Sequence, residues 1–181
     1  MKNMALLIVD VQRALIDSRP FHEAELLRNI ERLLAAARQN HLEVVYVRHD
    51  GGIGDELEPH TGGWEIVRPV APQAAERIFD KKFNSAFKDT GLKGYLSEKN
   101  IDTIVLVGMQ TEYCIDTTCK VAFEYGFSIL IPEGATATYD NDFFSGAVIA
   151  RYYEQKIWNK RFADVLSVDE IIGKMAPSSV K

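Results

Sequence analysis

Cysteines and long apolar runs are scarce or missing in this chain of 181 residues. Its two cysteines, Cys114 and Cys119, would point in different directions from one predicted helix, so we expect neither a mutual disulfide nor a disulfide framework. No stretch approaches the ~20 apolar residues of a membrane span. Asp10 interrupts the short apolar run near the start, which argues against a signal peptide. These absences predict a cytoplasmic protein without a membrane partner.

Charge of one sign is nowhere concentrated, because the formal net charge is −5 and neither a polybasic run nor an acidic tail occurs. Nucleic acid is therefore not an expected partner. The apolar fraction of 46% and the charged fraction of 26% are typical of a globular protein. We predict one domain over residues 1–175, followed by a flexible tail at 176–181 with the sequence APSSVK.

Short apolar runs alternate with helical patterns along the chain. The apolar runs predict strands at 4–10, 42–49, 76–81, 101–108 and 127–134, with a further short run at 163–167. Helical spacing predicts helices at 21–40, 90–100, 111–126, 143–160 and 168–174. Strands that are apolar on both faces and alternate with helices indicate a parallel sheet covered on both sides. We therefore predict an α/β fold with three layers, a doubly wound, mostly parallel six-stranded sheet of order 3-2-1-4-5-6.

This strand order places the first strand beside the fourth, and ligands bind at the carboxyl ends where the chain direction switches. Asp10 ends the first strand, and Cys114 lies in the helix after the fourth, so the predicted fold brings them together. Taken alone, Asp10 is a turn carboxylate and Cys114 a small buried apolar residue. A position in the first helical turn would instead lower the thiol pKa of Cys114. Cys119, a turn later, is expected in the core.

Two adjacent lysines end the third predicted strand, in the sequence DKKFNSAF. Such a pair is usually solvated. A lysine in the same crevice, however, would hold Asp10 ionised and would stabilise negative charge beside the thiol. The residues alone do not separate Lys81 from Lys82.

Three segments in this order, LLIVDVQ, KKFNSAF and VGMQTEYCIDTTCKVAFEYGF, resemble the isochorismatase-like cysteine hydrolases, which include nicotinamidases and related amidohydrolases. The resemblance covers nearly the whole chain. It implies that Asp10 is the general base and that Cys114 is the nucleophile. It also selects Lys81, which lies four residues before Ser85, as the catalytic lysine.

The resemblance further implies an oxyanion hole. A cis peptide is expected between Met109 and Gln110, aiming the Gln110 N–H and the Cys114 N–H at the developing oxyanion. The implied reaction is attack of the thiolate on a small-molecule amide, followed by hydrolysis of the acyl-enzyme. The cysteine favours this amidase branch. The alternatives are hydrolysis of an ester, a thioester or an isochorismate-type vinyl ether, or a catalytically silent binding protein on the same fold.

The nicotinamidase metal site is not reproduced in this sequence. Nicotinamidases typically carry Asp-x-His and further histidines after the second strand, whereas here His49 and Asp50 are adjacent in reverse order and only His60 follows. We therefore expect no metal and no other cofactor. His49 is interpreted as a hydrogen-bonded residue at the end of a strand.

The long polar loop after the second strand is too long for a simple connection and is a candidate lid. Trp64 in this loop is either a pocket residue, an anchor of the lid or a subunit contact. Gln12 and Tyr113 are further candidate pocket residues.

The helix predicted at 143–160 carries more aromatic area than one sheet face needs. We therefore predict a homodimer or a larger homo-oligomer, which is also common among the proteins that this chain resembles. The residues concerned are Phe143, Phe144, Ile149, Tyr152, Tyr153 and Trp158.

Overall fold

Seven strands, each parallel to its neighbours, form the central sheet of the computed structural model, which describes residues 3–176. They are β1 (Met4–Val9), β2 (Glu43–His49), β3 (Arg77–Lys81), β4 (Thr103–Met109), β5 (Ser128–Pro132), β6 (Thr136–Ala137) and β7 (Asp164–Leu166). The order is β3-β2-β1-β4-β5-β7, and β6 pairs with the end of β4. The predicted order is confirmed, with the run at 163–167 supplying the sixth position. β6 is not predicted, because two residues carry no recognisable alternation.

Six α-helices cover the sheet within the described residues: α1 (Arg13–Asp17), α2 (Glu23–Gln39), α3 (Leu92–Glu98), α4 (Asp116–Glu124), α5 (Gly146–Tyr152) and α6 (Val168–Met175). A 3-10 turn lies at Arg68–Val70, and π-helical turns at Thr111–Ile115 and Tyr153–Trp158 adjoin α4 and α5. None of the described helices is long and apolar enough to cross a membrane. Of the tail predicted at 176–181, all but the first residue lies outside the described residues.

The alternation of β1 divides the core into two halves. Leu6 and Ile8 pack on the side covered by α2 and α6. Leu7 and Val9 pack on the opposite side, where Cys119 of α4 is completely buried. This arrangement gives the predicted three layers, and it confirms Cys119 as a core residue.

The helix predicted at 143–160 differs from expectation in its start and in its apolar face. It begins at Gly146 rather than 143, because the Ser145 side chain caps it by accepting the Val148 N–H. Trp158 is completely buried in this chain and so is not available to a partner, and Ile149 is only 6% exposed. The exposed apolar residues of this region are Phe143, Phe144, Val148 and Tyr152.

A close approach of two backbones fixes the edge of the sheet where the candidate site lies. Gly108 of β4 has a φ of 126°, and a Cβ there would stand 1.9 Å from the Val9 carbonyl oxygen of β1. Only glycine fits this position without moving a strand. Directly after Val9, Asp10 adopts a left-handed φ of 53°, and its N–H donates to the Val47 carbonyl of β2. The carboxyl ends of β1, β2 and β4 are thereby held together.

Candidate active site

Four polar side chains converge at the carboxyl edge of the sheet. Asp10 follows β1, His49 ends β2 and Lys81 ends β3, while Cys114 lies in the π-helical turn after β4. Because these four strands are adjacent and parallel, their ends reach the same crevice. The structure thus brings together the Asp10, Lys81 and Cys114 that the sequence singled out.

The Lys81 ammonium is at the centre of this group. Its Nζ atom lies 2.6 Å from Asp10 Oδ2, 3.2 Å from Cys114 Sγ and 3.0 Å from His49 Nδ1. The Lys81 side chain has no exposed surface, and that of Asp10 is 2% exposed. An ammonium group has three N–H donors, and these three contacts satisfy all of them. Lys81 is therefore held as a buried cation with a fixed set of partners.

His49 is the member of the site that the sequence analysis placed only at a strand end. It is a hydrogen-bonded strand-end residue, as interpreted, but its partner is Lys81, opposite it in the β2–β3 register. Burial lowers the pKa of the His49 imidazole, and the positive charge of Lys81 lowers it further. A neutral imidazole can accept a hydrogen bond from the ammonium at Nδ1. The strand register was the signal for this contact, since both residues end paired strands.

Lys82 and Ser85 have other surroundings. The Lys82 side chain is 73% exposed, and its nearest carboxylate partner is Asp50 at 3.5 Å. Ser85 is buried, and its hydroxyl oxygen accepts the N–H of Phe87. Of the two adjacent lysines, Lys81 is therefore the one that lies within the site.

The pKa of the thiol contradicts the expectation drawn from its helical position. Burial raises the pKa of Cys114 to about 12, and the neighbouring Asp10 carboxylate adds to the rise while Lys81 opposes it. Alkylation well below the pH of a free thiol, about 8.5, is therefore not expected from thiol ionisation alone. The prediction was wrong because Cys114 is largely buried among the strand ends, with 9% of its surface exposed.

The pKa of the Asp10 carboxyl is also raised. Burial raises the pKa of its carboxyl above the ordinary 3.8, while the Lys81 ammonium opposes that change. Asp10 Oδ1 is buried and has no hydrogen-bond partner among the described residues. The carboxylate thus keeps one oxygen free to accept a proton or an N–H donor.

The turn after β4 begins with an unusual peptide bond. The peptide bond between Met109 and Gln110 is cis. The Gln110 carbonyl accepts the N–H groups of Tyr113 and Ile115 at 3.2 and 3.1 Å, which closes the turn around Cys114. Gln110 and Cys114 both line the cleft above the site.

This cleft has a volume of about 240 Å³ and is small. Its walls combine the site residues with loop residues and one exposed aromatic side chain. The lining residues are Asp10, Leu15, His49, Asp55, Glu56, Leu57, Asn84, Gln110, Tyr113 and Cys114. Tyr113, a candidate pocket residue, therefore lies at this cleft.

Gln12 and Trp64 do not line this cleft. Gln12 is completely buried, and its side-chain NH₂ donates to the carbonyls of His49 and Trp64 while its oxygen accepts the His49 N–H. Trp64 is also buried, and the Arg48 guanidinium stacks 3.5 Å from its ring centroid. Gln12 therefore ties the loop to the end of β2, and Trp64 is an anchor of that loop.

Three side chains of the site carry atoms that can bind a metal ion: a carboxylate oxygen of Asp10, a ring nitrogen of His49 and the sulfur of Cys114. These three atoms all lie within 4.8 Å of one another. The Lys81 ammonium, however, is hydrogen-bonded to each of these three side chains. A metal bound by them would have to replace this cation or lie against it. The donor set therefore fits a buried ammonium better than a metal.

Comparison with known proteins agrees with this geometry. The chain matches the Isochorismatase domain over residues 4–170. It is 36% identical over 138 residues to streptothricin hydrolase of Streptomyces noursei, covering 75% of this chain and 50% of that protein. It is 26% identical over 156 residues to Nicotinamidase 3 of Arabidopsis thaliana, covering 78% and 76%. A solved cysteine hydrolase from Pseudomonas syringae pv. phaseolicola 1448A is similar with a TM-score of 0.87 at 26% identity, covering 96% of this chain and 92% of that one.

Because the domain match extends over most of the chain, the protein belongs to the isochorismatase family. The resemblance carried by the three sequence motifs is thereby confirmed at the level of the family, and so is the doubly wound α/β fold. The chain spans about half the length of the streptothricin hydrolases that it matches.

Proposed function

We propose that this protein is a cysteine hydrolase that cleaves an amide bond of a small molecule through a thioester acyl-enzyme. Cys114 is the nucleophile, Asp10 the general base and acid, and Lys81 the cation that stabilises both. The observation that carries the proposal is the contact of the Lys81 ammonium with both Asp10 Oδ2 and Cys114 Sγ at the floor of a cleft. Relatives whose names describe hydrolases and amidases support it.

The first step moves the thiol proton to Asp10. The raised pKa of the thiol keeps that proton in place at rest, and the raised pKa of the carboxyl makes Asp10 a better proton acceptor than an exposed aspartate. As the proton leaves, Lys81 stays hydrogen-bonded to the sulfur that becomes negative. Deprotonation therefore accompanies attack on the substrate carbonyl carbon, and no free thiolate needs to accumulate.

Attack forms a C–S bond and places negative charge on the carbonyl oxygen. The backbone N–H groups of Gln110 and Cys114 are the proposed donors to this oxyanion. Each donor of this kind contributes roughly 10²–10³ in rate. The tetrahedral intermediate then collapses by breaking the C–N bond, and Asp10 returns its proton to the departing amine.

Hydrolysis of the thioester completes the cycle. Asp10, again ionised, removes a proton from a water molecule that attacks the acyl carbon, and the C–S bond breaks with return of a proton to sulfur. The products are the amine and the carboxylic acid, and the enzyme regains its starting protonation state. These steps need no cofactor.

The same acyl-enzyme would form from an ester or a thioester, which differ from an amide only in the leaving group. A vinyl ether has no carbonyl carbon for sulfur to attack, and the position of Cys114 in the cleft therefore disfavours that alternative. A catalytically silent protein would have no need for an Asp10 oxygen left without a partner beside a thiol.

The proposal is tested by intact-protein mass spectrometry after brief exposure to a panel of small amides and matched esters. We expect an acyl adduct on the wild-type protein and on Cys119→Ala, and none on Cys114→Ala. Full turnover by Cys114→Ala would contradict the nucleophile assignment. If the protein hydrolyses esters but none of the amides, it is an esterase rather than an amidase.

A further inference from the structure

The cleft above Cys114 is lined by acidic and neutral side chains and by one basic side chain, that of His49. Within the described part of the chain, none of its lining residues is a lysine or an arginine. The buried pair of Asp10 and Lys81 is neutral in sum, and the pKa of His49 is lowered by burial, which favours the uncharged ring. Asp55 and Glu56, both exposed on the loop after β2, add two carboxylates to the wall. The cleft is therefore acidic.

Two arginines of the neighbouring elements are paired with other groups, and the exposed Lys82 lies 3.5 Å from Asp50. Arg48 makes two hydrogen bonds to Asp80, at 2.8 and 3.1 Å. Arg13 pairs with Glu65 at 3.0 Å. Neither Asp55 nor Glu56 forms an ion pair with a described lysine or arginine, so their charges face the solvent at the cleft.

A second observation points to a ligand with N–H donors. Asp10 is 1% exposed, yet its Oδ1 has no hydrogen-bond partner among the described residues, and Asp10 lines the cleft. A buried acceptor without a donor costs stability unless a ligand or water supplies one. The floor and the wall of the cleft thus both offer acceptors to a nitrogen-rich ligand.

We infer that the substrate is a small cationic amide, in which an ammonium, guanidinium or amidinium group near the scissile carbonyl contacts the wall formed by Asp55 and Glu56. This substrate class rests on the proposed amide hydrolysis for its reactive bond, while the preference for positive charge rests on the cleft itself. Leu15, Leu57 and Tyr113 supply the apolar surface for a short organic body. Substrates with a carboxylate near the scissile bond meet like charge and are rejected.

The charge preference is measurable without turnover, by modifying Cys114 with two methanethiosulfonates, one bearing an aminoethyl cation and one a sulfonatoethyl anion. The ratio of their second-order rates, divided by the same ratio for a free small thiol, reports the charge of the cleft. We expect about a tenfold excess for the cation, since exposed carboxylates each change such rates a few-fold. Asp55→Asn/Glu56→Gln should bring the ratio close to one, whereas the matched control Glu31→Gln/Glu98→Gln should leave it unchanged. Asn at 55 keeps the acceptor for the Leu57 N–H.

A wild-type ratio at or below one, or the same ratio in the Asp55/Glu56 variant as in the wild type, would overturn the inference. A parallel panel of cationic, neutral and anionic amides separates this failure from failure of the proposed function. If anionic amides are hydrolysed with the highest kcat/KM, the proposed amide hydrolysis stands and the preference for a cationic substrate is wrong. If Cys114 reacts faster with the cationic reagent but no amide gives an acyl adduct, the acidic character of the cleft is supported and the proposed amide hydrolysis is not.

Discussion

Lys81 and Asp10 form an ion pair, with 2.6 Å between Nζ and Oδ2, in which both side chains are almost completely buried. Charges in such a position depend on each other, because neither is solvated once its partner is removed. The pair also joins β3 to the end of β1, although β2 lies between them in the sheet. Its loss is therefore expected to affect folding as well as chemistry.

Lys81→Met should lower the free energy of unfolding by ~3–5 kcal/mol, because it leaves the buried Asp10 carboxylate without its counter-ion. Lys82→Met, one residue later, removes an exposed cation and should change stability by less than about 0.5 kcal/mol. Urea unfolding of both variants, followed by turnover of any substrate found, measures the contrast. Equal effects of the two substitutions would show that the choice of Lys81 is wrong.

The pH dependence of turnover should report the Asp10 carboxyl. Asp10 must be ionised to accept the thiol proton, and its pKa is raised above 3.8, so activity should fall as the pH drops through that raised value. The thiol, with a pKa of about 12, should contribute no alkaline limb below that pH. Asp10→Asn keeps the size of the side chain but should reduce kcat by about 10²–10⁴. An acid limb at or below 3.8, or an unchanged rate in Asp10→Asn, would exclude Asp10 as the base.

Activity is expected to survive removal of metal ions. The Lys81 ammonium already contacts the three groups that could bind one, so a cation has no role left to supply at this position. Dialysis against EDTA should leave kcat/KM unchanged, with a mock dialysis as the control. Loss of activity that zinc, manganese or iron restores would identify Asp10, His49 and Cys114 as ligand candidates instead.

Assembly should involve the exposed apolar surface of α5 and the segment before it. A groove of about 560 Å³ lies here, and Phe144, Val148 and Tyr152 line it while remaining more than half exposed. Light scattering at micromolar concentration should give at least twice the mass of one chain. Phe144→Glu/Val148→Glu should produce a monomer, whereas the control Ile53→Glu, at the exposed tip of the loop, should not. A monomeric wild-type protein would refute the prediction.

The sequence located Asp10 and Cys114 because both lie beside strand ends that are visible as apolar runs, and the motif spacing selected Lys81. His49 was harder to place, since its contact with Lys81 depends on the register between β2 and β3. The thiol pKa was mispredicted for a related reason. The start of a helix, which would lower the thiol pKa, can be recognised in the sequence. The burial that raises this pKa arises only when separate strand ends pack together.

Gln12 illustrates the opposite difficulty. A polar residue two positions after Asp10 looks like a ligand contact, and no local pattern reveals that its amide is already used by His49 and Trp64. Buried amides of this kind have a structural role, because they hydrogen-bond to backbone groups that are distant in sequence. Only the folded chain distinguishes them from residues that bind a substrate.

The loop after β2 has two parts, and only the part near Trp64 is hydrogen-bonded to Gln12 and its neighbours. Near Trp64, the backbone is bonded to the segment after β1 through Gly63, Glu65 and Val67, so it can open only together with that segment. The part that carries Asp55 is held by backbone hydrogen bonds within the loop and by the buried side chain of Leu57. The exposed residues 53–56 can therefore vary while Leu57 and the segment near Trp64 keep the loop in place. Exchanging residues 53–56 between related hydrolases should change substrate preference and leave the catalytic residues undisturbed.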